Sequence, residues 1–361
     1  MPVEISADDG SVTFELVDRA RRLAAVRLVQ EIGLAGAVEF SRTSGRWRLE
    51  LPRPDVDRLE YLLEVEDHNG HRTTIPDPGN PQRTGGAFGD KSVVEFPEYR
   101  RPDWLTATPP PGLRRTVEID GTGLDAAVAA TVWTPSGLEP GTAAPLVVVH
   151  DGPEYDRLGD LTHYLGAAIC TGRLPPLRAA LLDPGDRNDW YAANPAYAQA
   201  LCADVLPALD AVAPSTARLG VGVSLGGLAM LHAHRRHPGA FAALLLQSAS
   251  FFTPELDAQE SGFPGFAAVT GFVAEVAGTA EDRHPVPAVL TCGVVEENLA
   301  NNEAMAGHLR RLGYGVEFVR IRDAHNYTAW RDGLDRSLPG LVEAVVGRRT
   351  RRTHPAEEVS S

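Results

Sequence analysis

Between Leu219 and Arg236 the chain reads LGVGVSLGGLAMLHAHRR. A short apolar run leads into Gly222-Val223-Ser224-Leu225-Gly226, and a stretch with helical spacing leaves it. A G-x-S-x-G between a buried strand and a helix is a tight turn that lifts the serine hydroxyl clear of its neighbours. The first N–H groups of the following helix have no intrahelical partner and face the same point. The reading is therefore a serine nucleophile, Ser224, with the Leu225 N–H as an oxyanion donor.

Outward from this turn, apolar runs of four to six residues alternate with helical stretches. The runs are Leu146 to Val149, Ala179 to Leu182, Leu219 to Val223, Ala243 to Leu246, Ala288 to Thr291 and Val316 to Ile321. Helices are expected near 160–170, 196–212, 225–237, 301–312 and 327–346. Short apolar runs interleaved with helices mark a mostly parallel sheet covered on both faces. The first hundred residues differ: period-two stretches such as RWRLELP and LEYLLEVED are punctuated by Asn69-Gly70 and prolines. That pattern predicts an antiparallel, immunoglobulin-like β-sandwich, with Trp47, Leu49, Leu51, Tyr61, Leu63 and Val65 facing inward. The expected organisation is a sandwich over 1–100, a proline-rich linker over 101–115, the catalytic domain over 116–347 and a disordered tail over 348–361.

A serine needs a base on a loop after the last strand and an acid before it in sequence. His325, in RDAHNYTAW, has that place, whereas His232, His234 and His237 lie on the helix after the serine and read as helix-surface residues. The acid candidates after AVLTCG are Glu296 and Glu297; Glu296 is the choice, and Asp323 is the rival that more naturally shapes the histidine loop. A second oxyanion donor is expected after LVVV, in His150-Asp151-Gly152-Pro153-Glu154-Tyr155. Pro153 has no N–H, which leaves Gly152 or a later amide, and Gly152 is chosen. Arg187, after the run AALL, is placed to meet a polar substrate group or to form a structural ion pair.

These segments together resemble the enterochelin (enterobactin) esterase family of the esterase D-like α/β-hydrolases. The likeness rests on DGPEY, LPPLRAALLDPGDR, GVSLGGLAML, HPGAFAALLLQSASFF, CGVVEEN and HNYTAW, and covers most of 116–346. It implies cleavage of the ester bonds of a trilactone catecholate siderophore, ferric or iron-free, by Ser224 and His325. A β-sandwich ahead of the hydrolase domain is also similar to that family. Trp190 stands where the family usually carries a glutamate, so pocket contacts there are expected to differ. With Arg187, Tyr155 and Trp330, Trp190 completes the expected substrate-binding set. A feruloyl or acetyl esterase acting on carbohydrate esters, or a general carboxylesterase, is the alternative.

Composition limits the rest. Of 361 residues 43% are hydrophobic and 23% charged, and the net charge is -14. No basic cluster suits nucleic acid, and no run approaches the ~18 apolar residues of a membrane helix. The N-terminus lacks the basic-then-apolar order of a signal peptide, so a cytoplasmic protein is expected. Cys170, Cys202 and Cys292 have no metal or disulfide spacing. No cofactor or bound metal is expected, any iron arriving with the substrate.

Overall fold

A computed structural model describes residues 4–6, 10–33 and 38–353, with side chains for 10–33 and 38–347. It divides into two compact units. The first runs to Arg101 and also includes Gly293–Glu297 and Ile321–Ala329; the second holds Pro102–Cys292, Asn298–Arg320 and the chain from Trp330.

Among the described residues of the first unit nine strands follow one another: β1 (Glu4–Ser6), β2 (Ser11–Val17), β3 (Leu23–Val29), β4 (Ser41–Thr43), β5 (Arg46–Pro52), β6 (Arg58–Asp67), β7 (Arg72–Ile75), β8 (Arg83–Thr84) and β9 (Lys91–Glu95). They form two sheets, ordered β1-β2-β5-β4 and β3-β6-β9-β8, with β7 on β6. The pairs are antiparallel and join through short turns, such as the one carrying Asn69 and Gly70 between β6 and β7. Alternation does what the pleat requires. Along β5, Trp47, Leu49 and Leu51 are buried while their neighbours are exposed. These side chains share one cluster with Phe14 of β2, Val26 and Leu28 of β3, and Tyr61 and Leu63 of β6. Val65 is only partly buried against it.

The second unit is built on an eight-stranded sheet. Two antiparallel strands that the sequence reading missed, β10 (Leu113–Ile119) and β11 (Val128–Thr134), form its edge. β10 begins inside the stretch read as linker, because its residues are largely exposed and carry no apolar run. Mutually parallel strands follow, β12 (Ala144–Val149), β13 (Arg178–Leu182), β14 (Ser215–Val223), β15 (Ala243–Gln247) and β16 (Pro287–Gly293), with β17 (Gly315–Ile321) beside β16, in the order β10-β11-β13-β12-β14-β15-β16-β17. Every residue of β12, β13, β15 and β16 is buried, as expected of strands covered on both faces.

The helices are α1 (Gly152–Gly159), α2 (Leu161–Cys170), α3 (Arg187–Trp190), α4 (Pro195–Ala200), α5 (Leu206–Val212), α6 (Leu225–Arg236), α7 (Phe266–Gly278), α8 (Leu299–Arg311), α9 (Tyr327–Asp332) and α10 (Leu334–Thr353). The single helix expected over 196–212 is interrupted by a π-helical turn at Leu201–Val205, and α9 and α10 share the span read as one closing helix. α10 continues past Gly347 to Thr353, and the rest of the expected tail, 354–361, lies outside the described residues. None of the described helices is long and apolar enough to cross a membrane.

Candidate active site

Ser224 sits between β14 and α6 with φ 52° and ψ -127°, a backbone conformation L-residues rarely adopt. Such a residue costs about 1–3 kcal/mol and persists only where its surroundings over-determine it. Here they do. Its N–H donates to the Gln247 carbonyl at 2.9 Å, and its carbonyl accepts from Gly227 N–H and Ser250 N–H at 3.0 and 3.1 Å. Gly222 makes the turn possible, because a Cβ there would lie 2.3 Å from the Gly226 carbonyl oxygen. The Ser224 hydroxyl lies 3.3 Å from that of Ser250, a neighbour the sequence reading did not single out.

Below the turn is a polar device with no motif to announce it. His150 is fully buried; its Nδ1–H donates to the Gly226 carbonyl at 2.8 Å, and its Nε2 accepts from the Tyr197 hydroxyl at 2.9 Å. Burial lowers its pKa to about 4, so the ring is neutral and its tautomer is fixed by those two partners. The imidazole thereby pins the first turn of α6. Gly152 opens α1 against β13, where a Cβ would lie 2.3 Å from the Leu181 Cα. Close packing thus demands glycine here.

Three of the four expected substrate contacts are interior residues. Tyr155 is fully buried and donates its hydroxyl to Gln247 Oε1. Trp330 is 6% exposed, and its Nε1–H donates to Ser248 Oγ at 2.9 Å. Gln247 in turn donates to the Trp330 carbonyl at 2.9 Å. Both side chains therefore brace the residues after β15 that anchor the Ser224 backbone. Trp190 is 4% exposed and stacks on Tyr197, ring centroids 5.5 Å apart. Tyr155 lies on α1, Trp190 on α3 and Trp330 on α9, and all three side chains pack into the core rather than forming exposed pocket walls. Arg187 forms a two-pronged ion pair with Asp151, at 2.8 and 3.0 Å, and keeps about a third of its side chain exposed.

The helix histidines also need correction. His232 and His234 are 2% and 1% exposed, not surface residues. α6 is packed on several sides, His232 meets Phe272 edge-on, and burial lowers the His232 pKa to about 4.

Within the first unit, Glu296 and His325 come together. Glu296 follows β16 and is turned back so that Oε1 accepts from its own loop, the Gly293 N–H, at 2.7 Å. Its Oε2 accepts from His325 Nδ1–H at 2.8 Å. The carboxylate side chain is 1% exposed and the imidazole 37%. A buried carboxylate on Nδ1 leaves Nε2 as the ring's proton acceptor, the arrangement of a general base with its orienting acid. Asp323 instead turns to Ala324 N–H, Asn326 Nδ2 and Arg58. Among the described residues no group of three or more His, Cys, Asp or Glu could hold a metal ion.

Comparison with known proteins places the chain among esterases by likeness. Residues 122–284 match the Esterase family model, described as "Putative esterase". The iron(III) enterobactin esterase of Escherichia coli O6:H1 is 27% identical over 80% of this chain and 72% of its own length. That of Dickeya dadantii is 28% identical over 72% and 63%. Among solved structures, the ferric enterobactin esterase of Salmonella typhimurium superposes with a TM-score of 0.78 at 20% identity, covering 96% of this chain and 97% of that one. The enterobactin esterase of Shigella flexneri, solved in the presence of enterobactin, gives 0.73 at 20% identity, covering 92% of each. The shared fold is of the α/β-hydrolase type. The chain is a carboxylic ester hydrolase, similar over most of its length to the enterobactin esterases.

Proposed function

We propose that the chain is a serine esterase that hydrolyses the ester bonds of a trilactone catecholate siderophore, ferric or iron-free, and so releases iron in the cytoplasm. Ser224 is the nucleophile, His325 the base and Glu296 the acid that orients it. His325 Nε2 takes the Ser224 proton as the alkoxide attacks the ester carbonyl. The Leu225 and Gly152 amides hold the tetrahedral oxyanion, each contributing on the order of 10²–10³ in rate. His325 then protonates the departing alkoxide, and a water deprotonated by the same imidazole releases the acid from the acyl-enzyme. Arg187 is proposed to touch the substrate with the part of its guanidinium side chain left exposed by Asp151. The two-sheet unit over 1–100 is read as an immunoglobulin-like sandwich, 101–115 as its linker and 116–347 as the catalytic domain.

The observation that carries the chemistry is the Glu296–His325 pair, 2.8 Å apart and downstream in sequence of a strained serine turn. What favours the siderophore is the reach of the likeness. The curated enterobactin esterases align with up to 80% of the chain. A ferulic acid esterase of known structure covers 65% of it, with a TM-score of 0.54. It keeps the feruloyl ester as the second reading.

Product chromatography separates them. Wild type and Ser224→Ala are offered a ferric trilactone catecholate, its iron-free form, a feruloyl ester and a short aryl ester. Stepwise release of linear trimer, dimer and monomer, absent in the variant, is expected. Turnover of the feruloyl or aryl ester alone would replace the siderophore reading.

A further inference from the structure

The loop that carries His325 is fastened by a residue nearly three hundred positions earlier. Arg58 opens β6 and is 2% exposed. Its Nη1 donates to Asp323 Oδ2 at 2.8 Å and its Nη2 to Glu60 Oε1 at 3.0 Å, while its guanidinium lies 5.5 Å from the Tyr99 ring centroid. Asp323 uses its other oxygen on the loop itself, accepting from Ala324 N–H at 2.8 Å and Asn326 Nδ2 at 3.0 Å. Asn326 Oδ1 then caps Ala329 N–H at 2.8 Å. Both residues adjoining His325 are thus bound into one network that ends on Arg58.

Other ties run the same way. Asp57 N–H donates to the Arg322 carbonyl at 2.7 Å, the Thr84 and Thr328 hydroxyls are 3.2 Å apart, and Ala324 lies in the cluster of Phe14 and Tyr61. The Glu296 loop joins through Val294 N–H, which donates to the Ile321 carbonyl at 2.8 Å. A buried ion pair is weak evidence of stability, since desolvation offsets most of its attraction. Its bidentate use, one prong on β6 and one on the histidine loop, fixes a position instead.

We propose that Arg58 is a positioning residue for His325, acting through Asp323. The N-terminal strands are then part of the catalytic apparatus rather than an independent binding module. This rests on the reading of His325 as the base. Arg58 touches no reacting atom; it sets where the imidazole is held.

Two full-length variants test this. Arg58→Lys keeps the charge but loses the fork, and Arg58→Met with Asp323→Asn removes the pair without leaving Asp323 charged. With an aryl ester, kcat should fall about 10-fold in the first and about 100-fold in the second, with KM within twofold. The downfield Nδ1–H resonance of the Glu296-bound imidazole, followed by NMR, should broaden in both. A purely structural Arg58 would lower the melting temperature but leave kcat and that resonance as in wild type in the folded variants, and that overturns the proposal. If the double variant does not fold, Arg58→Lys decides alone. If His325→Ala retains turnover, the function reading fails, and the resonance still decides whether Arg58 positions the ring.

Discussion

At Ser224 the turn itself is set by near neighbours, Gly222 two residues before and Gly226 and Gly227 just after, with Gln247, Ser250 and His150 holding it from outside. At His325 the geometry is set by residues distant in sequence, Glu296 and Arg58 above all. A strained backbone turn can be written in five residues, because strain is a local property. An imidazole on a loop has no such code, since its orientation depends on which carboxylate reaches Nδ1. The proposed nucleophile is therefore a motif, and the proposed base is a product of the tertiary fold.

Substitutions that remove side chains without disturbing either frame sharpen the contrast. Ser224→Ala should lower kcat by about 10⁶ with an unchanged melting temperature, because the elbow is made by its flanks. A large fall in melting temperature would mean that the hydroxyl, with its neighbour Ser250, helps to build the turn. Glu296→Gln should lower kcat by about 10³–10⁴ with little change in KM, since the amide no longer favours the tautomer with Nδ1 protonated. A loss below tenfold would leave His325 acting without its acid.

Stability toward acid should report the other frame. His150 and His232 have folded pKa values near 4, below the ordinary 6.5, so the unfolded chain binds more protons. Stability is therefore fully present above about pH 6.5 and falls as pH drops toward 4, by roughly 3 kcal/mol for each ring at pH 4. Chemical denaturation across that range checks the sign. Tyr197→Phe leaves His150 Nε2 buried without its donor and should cost about 1–3 kcal/mol while kcat stays within tenfold. An equal loss of kcat would make the ring beneath the elbow part of catalysis. Arg187→Met should change stability by less than about 1 kcal/mol, its pair with Asp151 being partly exposed. A rise in KM would place Arg187 on the substrate.

Strands β12 to β17 were legible because each contains a short apolar run, fully buried in β12, β13, β15 and β16, and Gly222 to Gly226 marked the elbow unaided. Edge strand β10 was not, since an exposed strand such as Leu113–Ile119 need not alternate or cluster, and its partly buried neighbour β11 went unread with it. Choosing Glu296 over Glu297 needed only its distance from the strand end, yet nothing local reveals its bond to Gly293 N–H. His150 escaped notice because a buried imidazole between a carbonyl and a tyrosine has no spacing rule. Tyr155, Trp190 and Trp330 misled because aromatics close in sequence to candidate site residues read as pocket walls, while here they are buried on α1, α3 and α9 and their polar atoms or ring faces make interior contacts. Arg58 carried no signal, its partner being hundreds of residues away.

The most direct test of the central claim is labelling by a serine-directed fluorophosphonate, with the site read by peptide mass spectrometry and the rate compared in wild type, His325→Ala and Glu296→Gln. A single adduct on Ser224, forming at least 10³-fold more slowly without His325 and at an intermediate rate in Glu296→Gln, is the expected result. Labelling elsewhere, or Ser224 labelling that ignores the loss of His325, would contradict the account.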